Sequence, residues 1–304
     1  ICAAPVVACQ SVTSAGEVNT IQLTPFDPTK HQIRIPATLK GNAITTLVDT
    51  GLSSSAISYG VAQRLGIEID PDTRFAVGGI GDQTVYAYDI SINDLEVAGQ
   101  HVDRLEGAAD NGPVFDLPSP RNQDAILGYS FLKGRIAFVD YIEGGFALLS
   151  TPGEVGPLVS SCRKRHSFPL RFAGDDTIPI IPDFQIGPIS GPVSLDTGSS
   201  SSLRLMQSPA TRILAPLLTD EIGEVSATGA RGRETSKRVR FPGKIGFGPF
   251  RLANQEVVIT RQPGSPETRI ANVGNRFMVD AGLKMLLDYK NQQITFFGDC
   301  KYNG

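Results

Sequence analysis

The 304 residues carry 28 Lys and Arg against 31 Asp and Glu, a net charge of −3, so no general attraction to nucleic acid or to an anionic membrane is expected. A hydrophobic share of 40% with 19% charged residues gives a globular chain with apolar material for two cores, and no run approaches the roughly 20 apolar residues of a transmembrane helix. The 32 Gly and 21 Pro among many short apolar runs predict an all-β fold, mainly strands with a few short helices.

From its start at Ile1 the chain is apolar and small-residued, and Val6-Val7-Ala8-Cys9 is similar to the end of a bacterial lipoprotein signal. A lipid anchor at Cys9 and an ordered first strand are the two readings of this stretch. The hairpin signal follows, with Ile33 to Leu39 and Ala43 to Val48 flanking Lys40-Gly41-Asn42. Its second strand ends on Asp49-Thr50-Gly51. Ser58 to Leu65, stopped by Gly66, predicts a short helix. Phe75 to Ile92 holds a glycine-rich turn, Gly78 to Asp82, between alternating strands; it predicts a mobile hairpin with Gly79 and Gly81 at its tip and Tyr86 and Tyr88 just beyond. Thr151 to Ser167, rich in Pro, Gly, Ser and charge, is the expected linker.

Beyond that linker the same order returns. Strands at Ile178 to Ile186 and Val193 to Leu195 lead to Asp196-Thr197-Gly198; Met206 to Leu214 predicts a short helix broken by Pro209, and Val225 to Val239 a second hairpin with Gly229 near its tip. An Asp-Thr-Gly tripeptide is expected at on the order of one position in 5,000, so one copy would carry little weight. The copies, however, keep matching company. Gly128 lies 79 residues after Asp49 and Gly274 lies 78 after Asp196; Asp140-Tyr141 and Asp288-Tyr289 follow at 91 and 92; Gly81 and Gly229 follow at 32 and 33. One unit of about 145 residues is used twice, a period too long for a solenoid. Two homologous lobes are expected, 1–155 and 156–304. Of the three full pairings open to Cys2, Cys9, Cys162 and Cys300, Cys162 with Cys300 is favoured, because they flank the second repeat where its first and last strands would adjoin. Cys2 with Cys9 would close a small loop. Disulfides imply an oxidising, extracytoplasmic (periplasmic or secreted) setting; four free thiols are the competing reading.

These residues resemble the aspartic proteases. Asp-Thr-Gly at a strand end, a Gly-tipped flap and Ile126-Leu127-Gly128 before a short helix are similar to a retropepsin protomer, and the tandem arrangement to the bilobed pepsin-like enzymes. The absence of Trp places the kinship nearer the retroviral type. The resemblance, over about residues 30 to 150 and 168 to 298, implies a bilobed acid-protease fold with pseudo-twofold symmetry and a cleft under one or two flaps. It implies Asp49 and Asp196 as catalytic residues, supported by Thr50, Gly51, Thr197, Gly198 and Ser199, with Gly79, Gly81, Tyr86 and Gly229 over an extended peptide substrate. The Thr50 and Thr197 hydroxyls would cross the twofold axis, and Gly128 and Gly274 would pack behind the loops. Such a monomer needs no metal and no cofactor. Two departures stand out. Leu52 occupies the position of Ser199, whose hydroxyl would reach the outer carboxylate oxygen, a role Ser53 could take in the first copy; and Asn272 replaces the aliphatic Ile126.

The chemistry of such a pair is specific. Two carboxyls roughly 3 Å apart cannot both ionise, so one is held protonated above the usual value of about 3.9 and the pair shares a proton. The ionised member deprotonates a water and the protonated member binds the scissile carbonyl, which suits an endopeptidase. The alternative is a catalytically impaired binding or inhibitor module on the same scaffold. Ser53 to Ser55 and Ser199 to Ser202 lack a nucleophile elbow, and His31, His101 and His166 lack a zinc motif. The basic run Arg231, Arg233, Lys237, Arg238 and Arg240 has no interleaved aromatics; it reads as a solvated strand face, or as positive charge over the cleft favouring acidic substrates.

Overall fold

The computed structural model describes residues 21–119, 121–173, 177–264 and 268–301; Cys2, Cys9 and the lipidation signal lie outside them. The protein is a bilobed all-β acid-protease fold. Lys40 (φ 51°) and Gly41 (φ 74°) make the left-handed pair that joins Arg34–Leu39 to Asn42–Val48, the turn whose twist suits adjacent strands. These strands open a seven-stranded sheet that continues through Ala125–Leu127, Ser55–Ser58, Gln100–Asp110, Tyr86–Val97 and Arg74–Ala76. Pairing of Ala37 with Val97 folds it back on itself. Between the strands, Tyr59–Arg64 is helical with Val61 and Ala62 turned inward.

The second lobe repeats the plan in eight strands, ordered Arg171–Phe172, Pro179–Ile186, Ile189–Asp196, Ala271–Gly274, Leu203–Gln207, Phe250–Pro263, Gly232–Phe247 and Thr219–Gly229. In both lobes the aspartate-bearing strand runs parallel to its downstream partner, Val48 beside Leu127 and Leu195 beside Val273. That pairing sets the end of one strand, where the aspartate loop begins, against the glycine that opens a short helix, Tyr129–Leu132 or Asn275–Asp280.

A third sheet is built by both lobes: Thr24–Pro25, Gly145–Leu149, Ile136–Asp140, Lys284–Asp288, Gln293–Cys300 and Cys162–Pro169. At its centre Ile136–Asp140 and Lys284–Asp288 pair antiparallel, with Phe138 opposite Leu286. Lys284 Nζ meets Asp140 Oδ2 at 2.7 Å across that seam, with both side chains buried. Asp140 also accepts from the backbone N–H of Ile142 and Glu143, so the repeated spacing of Asp140-Tyr141 marks a junction between lobes. One apolar cluster, containing Phe131, Tyr141, Phe146, Phe184, Phe247 and Phe277, spans both lobes, and a smaller one around Phe138, Leu286 and Phe297 covers the other face of the shared sheet.

Two expectations are corrected. Pro209 does not break a helix running from Met206: Leu203–Gln207 is a strand, Ser208 caps the helix Pro209–Arg212 through Thr211 N–H, and Pro209 sits at its first position, where a missing N–H costs nothing. Nor does the linker reach Ser167. Cys162–Pro169 is an edge strand whose Arg163, Lys164 and Arg165 face outward, so charge there marks an edge and not a loop. That strand places Cys162 opposite Cys300, and the two form a disulfide across 138 residues. A link closing so long a loop restricts the unfolded chain. The Cys162→Ser, Cys300→Ser double variant is therefore expected to lose about 2–4 kcal/mol by urea denaturation, and an unchanged midpoint would rule that contribution out.

Candidate active site

Each aspartate leaves its strand into a tight loop where its own carboxylate accepts a backbone bond: Gly51 N–H to Asp49 Oδ1 at 2.7 Å and Gly198 N–H to Asp196 Oδ1 at 2.9 Å. The two loops face each other, and a Cβ at Gly51 would touch both carboxyls, 3.1 Å from Asp49 Oδ1 and 2.9 Å from Asp196 Oδ1. Any side chain on the glycines would collide there. A Cβ at Gly198 would stand 2.3 Å from Asp49 Oδ2, and one at Gly51 2.9 Å from Asp196 Oδ1.

Thr50 and Thr197, both fully buried, bind the loops together. The Thr50 hydroxyl donates to Leu195 O at 2.6 Å and accepts from Thr197 N–H at 3.1 Å; the Thr197 hydroxyl donates to Val48 O at 2.8 Å and accepts from Thr50 N–H at 3.0 Å. Each hydroxyl thus uses its one donor and one of its two acceptor sites across the symmetry axis. Behind the loops, Tyr129 N–H donates to Leu52 O and Asn275 N–H to Ser199 O, the same contact in each lobe. Asn275 adds links its counterpart lacks: its Nδ2 donates to Thr197 O and His31 O while its Oδ1 accepts from Tyr141. Gln32 Nε2 also donates to Gly198 O across the lobes.

The pair is not electrically symmetric. Burial, and after it the negative charge of Asp196, pushes the Asp49 carboxyl well above the usual carboxylate range. Three N–H groups converge on Asp196, from Gly198, from Ser199 at 3.0 Å and from Asn272 Nδ2 at 2.6 Å on Oδ2. Ser199 therefore acts through its backbone; its hydroxyl instead accepts from Ser201 N–H, and the amide of Asn272 supplies the donor to the second oxygen. Ser53 is exposed, with no hydrogen bond to Asp49. Leu52 packs on an apolar cluster of Leu47, Ala56, Ala87, Ala108, Phe115 and Ile126. Among the described residues no group of three or more His, Cys, Asp or Glu side chains is placed to hold a metal ion.

Above the cleft the two hairpin tips meet. Gln83 N–H donates to Arg231 O and Arg231 N–H to Ile80 O, each at 2.9 Å, and Arg231 Nε donates to Gln83 O at 3.0 Å. Gly81, at φ +108°, comes so close that a Cβ would lie 2.2 Å from Arg231 O. Gly229 lies against Ile80, and Gly79 faces Ala230. Arg231 thus joins the tips, while Arg233 is exposed. Tyr86 is half exposed beneath the Arg74 guanidinium, 3.7 Å from its ring centroid, and Tyr88 lies against Tyr59. Both tyrosines leave the strand on the side opposite Ala87, which is the residue that joins the apolar cluster with Leu47 and Ile126.

Residues 35–134 match the family of gag-polyprotein aspartyl proteases. A search of curated proteins returned no match.

Proposed function

We propose that this chain, a retropepsin-like aspartyl protease by its residues 35–134 and its all-β architecture, is an aspartic endopeptidase whose single site is shared by its two lobes. The observation that carries the reading is the approach of the Asp49 and Asp196 carboxyls, which stand 3.1 and 2.9 Å from one Cβ position at Gly51, in loops held by hydroxyls that cross between lobes. The raised Asp49 retains the shared proton and hydrogen-bonds the scissile carbonyl oxygen. Asp196 takes a proton from the attacking water, whose oxygen bonds to the carbonyl carbon. The resulting tetrahedral oxyanion, hydrogen-bonded by Asp49, collapses as the leaving nitrogen takes the proton from Asp196 and the C–N bond breaks. The joined flaps must part to admit an extended peptide, and their reclosure shields it from bulk water. We place the lobe boundary at residue 155, within the segment preceding Cys162, and read the protein as a monomer. The Cys162–Cys300 disulfide favours an extracytoplasmic setting, and no helix among the described residues is long and apolar enough to cross a membrane.

The test is hydrolysis of an unfolded protein substrate across pH with a statine peptide as competitor: acid-dependent cleavage blocked by the peptide supports the reading, and absence of cleavage at every pH overturns it. Asn272 gives a finer prediction. Asn272→Leu removes a donor that stabilises the carboxylate form at Asp196 Oδ2. The variant is expected to lose about tenfold or more in kcat/KM. An undiminished kcat/KM would show that Asn272 serves packing alone.

A further inference from the structure

The sheet faces beside the two aspartates carry opposite chemistry. In the first lobe the row of strand-paired residues is Leu47, Ile126, Ala56 and Ala108, all buried in one apolar cluster. The equivalent row in the second lobe is Ser194, Asn272, Arg204 and Val258. Ser194 Oγ donates to Asn272 Oδ1 at 2.8 Å and Asn272 Nδ2 to Asp196 Oδ2 at 2.6 Å, so this row leads directly to the dyad. Leu203 and Leu205, flanking Arg204, point the other way into the core.

Arg204 is only 4% exposed, and its Nη2 is buried with no hydrogen-bond partner. No carboxylate of a described residue lies within the 4.0 Å of an ion pair with it; Glu234 and Asp196 act on it from farther away. Burying a guanidinium costs several kcal/mol unless a counter-charge and hydrogen bonds replace its water, and the group stays charged at any working pH. In the first lobe the same place is filled by Ala56, so nothing in the fold itself requires a cation there. An extended peptide in the cleft presents successive side chains alternately to either lobe. A carboxylate on the side facing the second lobe would complete the bonds of Arg204, and an amide of the same shape would supply no charge.

We propose that Arg204, beside Asn272, forms an anion-binding subsite of the second lobe that takes the side-chain carboxylate of an Asp or Glu residue of the bound peptide. The proposal rests on the endopeptidase reading and adds its substrate class. It differs from a basic flap selecting acidic substrates, because Arg231 is engaged with Ile80 and Gln83.

The test uses statine-centred hexapeptides in which each flanking position in turn is Glu or Gln, with dissociation constants measured on the wild type, Arg204→Leu and Arg204→Lys. At one position Glu is expected to bind about tenfold or more tighter than Gln. The ratio should fall to about 1 in Arg204→Leu and be partly kept in Arg204→Lys. Replacing an unpaired buried charge by an apolar side chain is not expected to unfold the lobe, and circular dichroism with a thermal melt checks this. Equal binding of Glu and Gln at every position, or a ratio untouched by Arg204→Leu, would overturn the subsite alone. Failure of every peptide to bind would overturn the protease reading and the subsite with it.

Discussion

Asp49→Asn and Asp196→Asn are each expected to lower kcat by about 10⁴-fold or more, because in the proposed mechanism neither carboxyl has a substitute: one would carry the shared proton and the other would accept from water. Their effects should not add, since either loss removes the whole device. Stability should move differently. The folded-state affinity of Asp49 for its proton is raised, so the native state binds more protons than the unfolded chain between about pH 3.9 and the raised folded value. Stability from this group is thus fully present below that window and falls as pH rises through it. Asn carries no such charge. Asp49→Asn is expected to be inactive yet more stable than the wild type at neutral pH, the gain in Tm shrinking toward pH 4. Activity retained in either variant would refute the shared dyad, and a Tm difference independent of pH would refute the raised Asp49.

The seam between lobes offers the second large effect. Asp140→Asn keeps an acceptor for the Ile142 and Glu143 N–H groups but strips the charge that faces buried Lys284. Lys284→Met conversely leaves Asp140 buried without its cation. Each single variant is expected to cost about 3–5 kcal/mol, and the double variant considerably less than the sum, because removing one ion of a buried pair strands the other. Urea denaturation of the four proteins measures the coupling. Single costs below about 1 kcal/mol, typical of exposed pairs, would mean that the seam is held by its apolar faces alone.

Features that depend on local sequence were legible. The Lys40-Gly41 turn, the glycine stop after Leu65 and the two Asp-Thr-Gly loops are written in consecutive residues, and duplication made the lobes visible as matched spacings. The charged strand Cys162–Pro169 has the composition of a linker because composition reports exposure and not pairing: its residues are solvated on one side and bonded to Gln293–Cys300 on the other. Pro209 marks a helix start and not a break, which depends on the strand Leu203–Gln207 before it. At the site, a hydroxyl was expected on Asp196, and an amide from a distant strand supplies the bond. Arg204 gave no signal of its own within Leu203-Arg204-Leu205; only the antiparallel register that sets it beside Asn272 reveals where it lies. Asn275 and Lys284 likewise gain their roles from the other lobe, and contacts between lobes have no local pattern to read.

A crystal structure of the protein with a statine peptide bound would reveal whether both lobes build the proposed site. The statine hydroxyl is expected between the carboxyls of Asp49 and Asp196, within about 3 Å of an oxygen of each, with the Ile80 and Arg231 tips closed over the peptide. A hydroxyl that contacts one aspartate alone, or a peptide bound away from the cleft, would contradict a site made by both lobes.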